Sequence, residues 1–204
     1  MTTSGRIELM APAGNFESMQ AALDNGCDSI YFGVEQLNMR ARATVNFVLD
    51  DLPEIARRCN EKNVRTYLTL NTIIYDHDLS IVKTLLTKAK EAGITAVIAS
   101  DQAVIMSART IGMEVHISTQ LNVTNIETVK FYAMFADTIV LSRELSLRQV
   151  KKITDDIEKE QVKGPSGNLV EIEIFGHGAL CMAVSGKCYL SLHSHNSSAN
   201  RGAC

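Results

Sequence analysis

Seven short apolar runs rich in β-branched residues alternate with stretches of helical spacing along nearly the whole 204-residue chain. The runs are IELMAP (7–12), SIYFGV (29–34), VRTYLTLN (64–71), AVIAS (96–100), EVHIST (114–119), TIVLS (138–142) and LVEIEIFG (169–176). Each has the length of one strand and is too short for a stable helix. The intervening segments, such as HDLSIVKTLLTKAKEAG, place apolar residues three and four apart, as a half-buried helix does. Asn15, Thr124 and Ser146 stand where N-caps belong, and Gly26, Gly93 and Gly112 where helices end. Strands separated by crossover helices must run parallel, with right-handed connections.

An open doubly wound sheet and a closed barrel both satisfy that alternation. The barrel is favoured because nearly every strand ends in small or polar residues, which a barrel's C-terminal rim requires. The expected fold class is therefore α/β, a TIM-type (β/α) barrel with seven β/α units visible. Such barrels have eight units and usually about 250 residues, so the eighth is expected to be missing and the chain truncated. Residues 1–178 are assigned to the barrel. Residues 179–204 form a cysteine-rich segment continuous with its rim, and KGPSGN (163–168) is a loop rather than a domain boundary. Unpaired strand edges at the gap invite a second copy, so a homodimer of this piece is an expectation.

Composition narrows the function. With 46% hydrophobic and 21% charged residues the chain reads as an ordinary globular protein. Its net charge of −3 argues against binding nucleic acid through overall positive charge. MTTSGRIELM lacks a basic head followed by an apolar core, and no apolar run approaches the roughly 18 residues of a membrane span. Five cysteines, an odd number, point to a reducing cytoplasm with no membrane attachment.

Barrel chemistry sits where strands end. The first strand leads into Pro12-Ala13-Gly14-Asn15, and the second into a loop with Asn38, Arg40 and Arg42. Asn71 ends the third strand, Ser100-Asp101-Gln102 the fourth, and Ser118-Thr119-Gln120 the fifth, with Asn122 beyond. The sixth delivers Ser142-Arg143-Glu144 and the seventh Gly176-His177-Gly178. Converging arginines and amides suit a small carboxylate-bearing ligand, because guanidinium grips carboxylate through two parallel bonds. Read blandly, the same Asn and Ser residues cap helices and Arg143–Glu144 is a surface pair. His116 reads as a satisfied core histidine, KKITDDIEKEQVK as a solvated helix face, and Cys27 and Cys59 as small buried hydrophobes.

Three of the five cysteines, Cys181, Cys188 and Cys204, fall in the last 24 positions. A nucleophilic thiol would need a base, and His177, His193 and His195 are near in sequence. A zinc site could add a histidine, but zinc motifs usually pair ligands about two to four residues apart. An iron–sulfur cluster uses thiolates alone and tolerates varied spacing, so it fits best. SGKC is no phosphate loop, since Cys181 and Cys188 occupy the positions of its glycine and its Ser or Thr.

The long run EIEIFGHGALCMAVSGKC followed by LS closely resembles the signature of the collagenase-like peptidase family U32. ELMAPAGN, SIYFGV, HISTQLNVTN, LSRELSL and NRGAC resemble its other blocks, in family order. The peptidase label is historical. The resemblance implies oxygen-independent or prephenate-dependent hydroxylation proteins that carry a 4Fe–4S cluster on four cysteines. Their substrates are the wobble uridine of transfer RNA, ribosomal RNA or the ubiquinone ring, and the transfer-RNA branch is the most similar. It also implies that Cys181, Cys188 and Cys204 are cluster ligands, with the fourth beyond residue 204, so that this piece holds no complete cluster and its tail is loosely set. Arg143, His177, Asn71 and Gln120 are the candidate catalytic residues. Arg40, Arg42, Asn15 and Ser118 are the candidates for binding a carboxylate co-substrate of prephenate type. The rival reading is proteolysis.

Overall fold

The computed structural model describes residues 7–34, 37–39, 47–178, 181 and 183–203. The seven runs form seven strands: β1 (Met10–Pro12), β2 (Ser29–Phe32), β3 (Arg65–Leu70), β4 (Ala96–Ala99), β5 (Glu114–Ile117), β6 (Thr138–Val140) and β7 (Glu171–Glu173). Each pairs in parallel with its sequence neighbours, in the unbroken order β1 to β7. A doubly wound sheet reverses its order in the middle. An unreversed order with right-handed crossovers curls the sheet into a barrel wall. Among the described residues no pairing joins β7 to β1, so this wall is open along one seam. The strands are shorter than the apolar runs because the run ends leave the ladder to build the rim.

Helices α1 (Phe16–Asp24), α2 (Leu52–Glu61), α3 (Leu79–Ala92), α4 (Gln102–Thr110), α5 (Ile126–Ala133) and α6 (Leu147–Glu160) fill the crossovers, and a short α7 (Leu190–His195) lies in the cysteine segment. Asn15 and Ser146 cap α1 and α6, and in each the cap's own amide donates back to the side chain of the third helical residue. The expected cap Thr124 is displaced by its neighbour. Asn125 takes the extended backbone, and its side-chain oxygen accepts from the Thr128 amide at 2.9 Å. Asn125→Ala is therefore expected to lower unfolding free energy by about 1 kcal/mol, whereas Thr124→Ala should leave it nearly unchanged. Chemical denaturation of the two variants checks this. No helix among the described residues is long and apolar enough to cross a membrane.

Strand alternation divides the core in two. Outward-facing residues such as Phe32, Leu68, Val97, Ile117 and Ile139 pack under Ile55, Cys59, Leu86, Val104 and Ile153 from the helices. Inside the wall, Tyr67, Ala96 and Ile98 form a smaller cluster with Met10 and Tyr31. Around that inner cluster the barrel is charged. Tyr67 donates to Glu8 at 2.8 Å, and Glu8 also pairs with Arg65. His116, 3% exposed, lies with Nε2 3.1 Å from Glu114 and Nδ1 3.8 Å from Glu173 across on β7. Its ring centroid is 4.5 Å from that of Tyr67. Burial opposes the charge on this ring, but the hydrogen bond with Glu114 and the carboxylates of Glu114 and Glu173 outweigh it and raise the His116 pKa, while Nδ1 and Glu173 Oε2 face each other without a hydrogen bond. His116 is thus a core histidine that also ties the last strand to the wall.

Candidate functional site

The C-terminal strand ends meet at the open mouth of the barrel. At the third and fifth strand ends, the Asn71 side chain accepts from the Met39 amide at 3.2 Å and donates to Ser118 Oγ at 3.5 Å. Ser118 is buried, and its hydroxyl also takes the Gln120 amide at 3.3 Å. Asn71, Ser118 and Gln120 therefore form one connected group, as their strand-end positions suggested. The Gln120 side-chain oxygen and that of Asn122 are buried without a partner. Buried acceptors of this kind call for a donor from water or ligand.

Other candidates are occupied differently. Asn15 spends its side-chain oxygen on the α1 cap, accepting from the Ser18 amide at 2.8 Å. Asp101 caps α4 and also holds the Ile74 amide at 3.0 Å, which fixes the loop after β3. Asn38 fills the space that a side chain at Gly33 would occupy. His177 is exposed on the chain leaving β7, and no hydrogen bond among the described residues ties it to the Asn71 group. Arg40, Arg42 and Cys204 lie outside the described residues.

Arg143 does not pair with Glu144. Glu144 accepts from Ser142, while Arg143 turns to the cysteine segment. Its Nε and Nη2 donate to Ser185 Oγ at 3.0 and 2.6 Å, and Nη2 reaches the Ala183 carbonyl at 3.4 Å. Asn122 donates to the Ser185 carbonyl, and Ser185 is 4% exposed. Gly186 completes this seat: its φ is +72°, and a Cβ there would lie 2.4 Å from the Gln120 carbonyl oxygen. Both the left-handed backbone and the close approach demand glycine.

The expectation of a loosely set tail is corrected by these contacts and by others farther along. The Asn200 carbonyl accepts from the Ile73 amide at 3.1 Å, and Arg201 bonds Asp78 and the Ile73 carbonyl, both at 2.6 Å. The segment is therefore docked as a strap over the mouth. Sequence reasoning missed Asp78, Asn200 and Arg201. Their only signal was the arginine three positions before Cys204, and nothing in the sequence linked it to Asp78.

The four described cysteines separate chemically. Cys27 and Cys59 are buried among the helices, and burial first, then the neighbouring Cys27, pushes the Cys59 thiol up to about 11. Such thiols are inert. Cys181 is exposed and Cys188, on the chain that crosses the mouth, is half-buried, and both are free. Among the described residues no three His, Cys, Asp or Glu side chains come together as a metal site, and Cys181 and Cys188 are the free thiols whose donor type suits a soft metal.

Fold and site together define a (β/α)-barrel protein with a cysteine-bearing strap across the C-terminal ends of its strands. A profile of Peptidase family U32 matches residues 14–204, and the chain belongs to that family. It is 56% identical over 198 residues to a collagenase of Porphyromonas gingivalis, covering 97% of this chain and 48% of the relative. It is 30% identical over 200 residues to tRNA hydroxylation protein P1 of Bacillus subtilis, covering 97% of this chain and 44% of that one. With the 23S rRNA 5-hydroxycytidine C2501 synthase of Escherichia coli it shares 34% over 203 residues, 99% of this chain and 29% of the enzyme. The chain thus spans half or less of the length of these relatives. A solved U32 peptidase superposes with a TM-score of 0.61 at 14% identity, over 85% of this chain and 70% of its own. The tryptophan synthase alpha subunit of Legionella pneumophila does so at 0.54 and 18%, over 85% and 74%. At such identities these two bear on fold alone, and both support a TIM-type barrel.

Proposed function

We propose that the full-length protein is an RNA hydroxylation enzyme that uses an iron–sulfur cluster held by Cys181, Cys188 and Cys204 together with a fourth cysteine downstream. The observation that carries this reading is the free thiol of Cys188 on a strap over the end of the barrel where such folds keep their chemistry, with Cys181 free and exposed shortly before it in the chain. Relatives named for transfer-RNA and ribosomal-RNA hydroxylation support it, and the wobble uridine of transfer RNA is the leading substrate. A bound 4Fe–4S cluster would supply one-electron transfer.

The chain's own residues have three tasks in this reading. Asn71, Ser118 and Gln120 orient a substrate group, with the unpartnered Gln120 oxygen accepting its hydrogen bond. Arg40 and Arg42 bind a carboxylate co-substrate of prephenate type, and His177 moves a proton at the mouth. Arg143 holds the strap by its Nε face, leaving Nη1 as the donor for a bound anion.

Deleting the gene is expected to remove 5-hydroxyuridine-derived wobble nucleosides and spare other modifications. Mass spectrometry of digested transfer RNA reads this, with the wild-type gene restoring them and a Cys181→Ser copy failing to. Unchanged wobble nucleosides in a strain with no second pathway would refute the transfer-RNA assignment.

The 56% identical collagenase favours a second reading, proteolysis. A peptidase needs a nucleophile beside a base. Here Ser185 Oγ faces the Arg143 guanidinium and Ser118 Oγ the Asn71 amide, so neither hydroxyl sits beside a base. Gelatin cleavage by purified protein that disappears in a folded Ser185→Ala or Cys188→Ala variant would establish this reading instead.

A further inference from the structure

The strap from Ala183 to Ala203 meets the barrel at two loci, one on the loops after β5 and β6 and one on the loop after β3. Strands β3 and β6 are three positions apart in the sheet, about 14 Å along the wall. The strap itself supplies little apolar adhesion between these seats. Tyr189, Leu190 and Leu192 are 68%, 72% and 44% exposed. Polar contacts must therefore hold it.

At the seat after β3, Arg201 Nη1 donates to Asp78 Oδ2 and the Ile73 carbonyl, both at 2.6 Å, and Nη2 lies 3.4 Å from Asp78 Oδ1. The guanidinium also stacks 4.8 Å above the Tyr75 ring centroid. Asp78 is pre-set for this contact, because its carboxylate takes the Tyr75 amide at 2.9 Å. The Asp78 and Arg201 side chains are 10% and 25% exposed, whereas the Lys151–Asp155 pair on α6 is 73% and 58% exposed. A sheltered pair with charge-assisted bonds contributes far more than a solvated one. Next to Arg201, the Asn200 side chain donates to the Cys188 carbonyl at 3.4 Å. The seat is thereby connected to the backbone of one cysteine and lies three residues from another.

The geometry points to Asp78 and Arg201 as a positioning pair that holds Cys188 and the chain leading to Cys204 over the barrel mouth. This assignment rests on the cluster reading for its purpose but not for its test. Neither residue touches the Asn71 group, so each acts through the strap. Hydrogen bonding from Arg201 first, with the Tyr75 amide and His77 (Nε2 3.5 Å from Asp78 Oδ1) also favouring the charge, keeps the Asp78 carboxyl below the ordinary carboxylate range, so the latch persists at neutral pH and opens as pH falls through that depressed value.

Metal-free full-length protein is treated with iodoacetamide, and the alkylation rate of each cysteine is followed by peptide mass spectrometry. Arg201→Gln and Asp78→Ala are expected to speed alkylation of Cys188 about tenfold, the loss of one sheltered charged contact. Cys27 and Cys59 should stay protected, and Asp78→Glu should restore the slow rate. An unchanged Cys188 rate in Arg201→Gln overturns the latch. Should Asp78→Ala also expose Cys27 and Cys59, the barrel has opened and Arg201→Gln, altered only on the strap, decides. Anaerobic incubation of wild-type protein with iron and sulfide is the separate arm. Failure to take up iron refutes the cluster and leaves the alkylation result to judge the latch.

Discussion

Full-length protein prepared without oxygen is expected to carry iron and sulfide, and to lose nearly all of both when Cys188 is replaced by alanine. Cys181→Ala should do the same, whereas Cys59→Ala should retain them. The contrast follows from where the thiols lie. Cys188 is free on the strap and Cys181 free and exposed just before it, but Cys59 is buried in α2 with its thiol pushed up to about 11. A ligand must be deprotonated, and a thiol held in apolar surroundings resists that. Serine is a poor replacement, so Cys188→Ser should also fail. Iron and sulfide assays with the visible absorption of the protein check all four variants. Stoichiometric zinc in place of iron, in protein kept from oxygen, would replace the cluster with a zinc site.

His116→Ala is expected to cost about 3 kcal/mol of stability at pH 6. The substitution leaves a void beside Tyr67 and strips a partner from Glu114 on its own strand and Glu173 on β7. The same contacts set a pH dependence. The pKa of His116 is raised above its ordinary 6.5, so its contribution is fully present below about pH 6.5 and is lost as pH rises through the folded value. Glu114 moves the other way. The hydrogen bond from His116 lowers its pKa below 4.5, so that contribution holds above about pH 4.5 and is lost as pH falls through the depressed value. These are two views of one interaction and count once. Stability from this pair should peak between about pH 4.5 and 6.5, and the alkaline decline should vanish in His116→Ala. Denaturant midpoints across pH measure it, and an unchanged alkaline limb in the variant would assign the decline to other groups.

The wall of the barrel was legible in the sequence because its cause is local and periodic. Seven β-branched runs, each followed by a helix with apolar residues on one stripe, allow only parallel strands with crossovers. The polar strand ends then favoured a barrel over an open sheet. Asn15 and Ser146 were legible as caps for the same reason, since a cap reaches only three residues along its own chain. Local signals blur at one-residue resolution, which is why Thr124 and Asn125 could not be told apart until the backbone showed which took the extended conformation.

The cysteine segment was recognisable by its composition and resemblance, but its seat was not. Arg201 and Asp78 are 123 residues apart, and Arg143 and Ser185 are 42 apart. Such pairings carry no period, and many arginines could satisfy many acceptors. Arg143 shows the consequence: its strand-end position suggested a hand for a free carboxylate, yet two of its donors hold Ser185. His116 was likewise readable as buried but not as the bridge to Glu173, which depends on β5 and β7 curling toward one another around β6. By itself the sequence determined the elements, their order and the chemical character of the tail, because each follows from neighbours within a few residues. Only the tertiary structure decided which distant groups meet, because curling the wall and docking the strap are set by curvature and packing that no local pattern encodes.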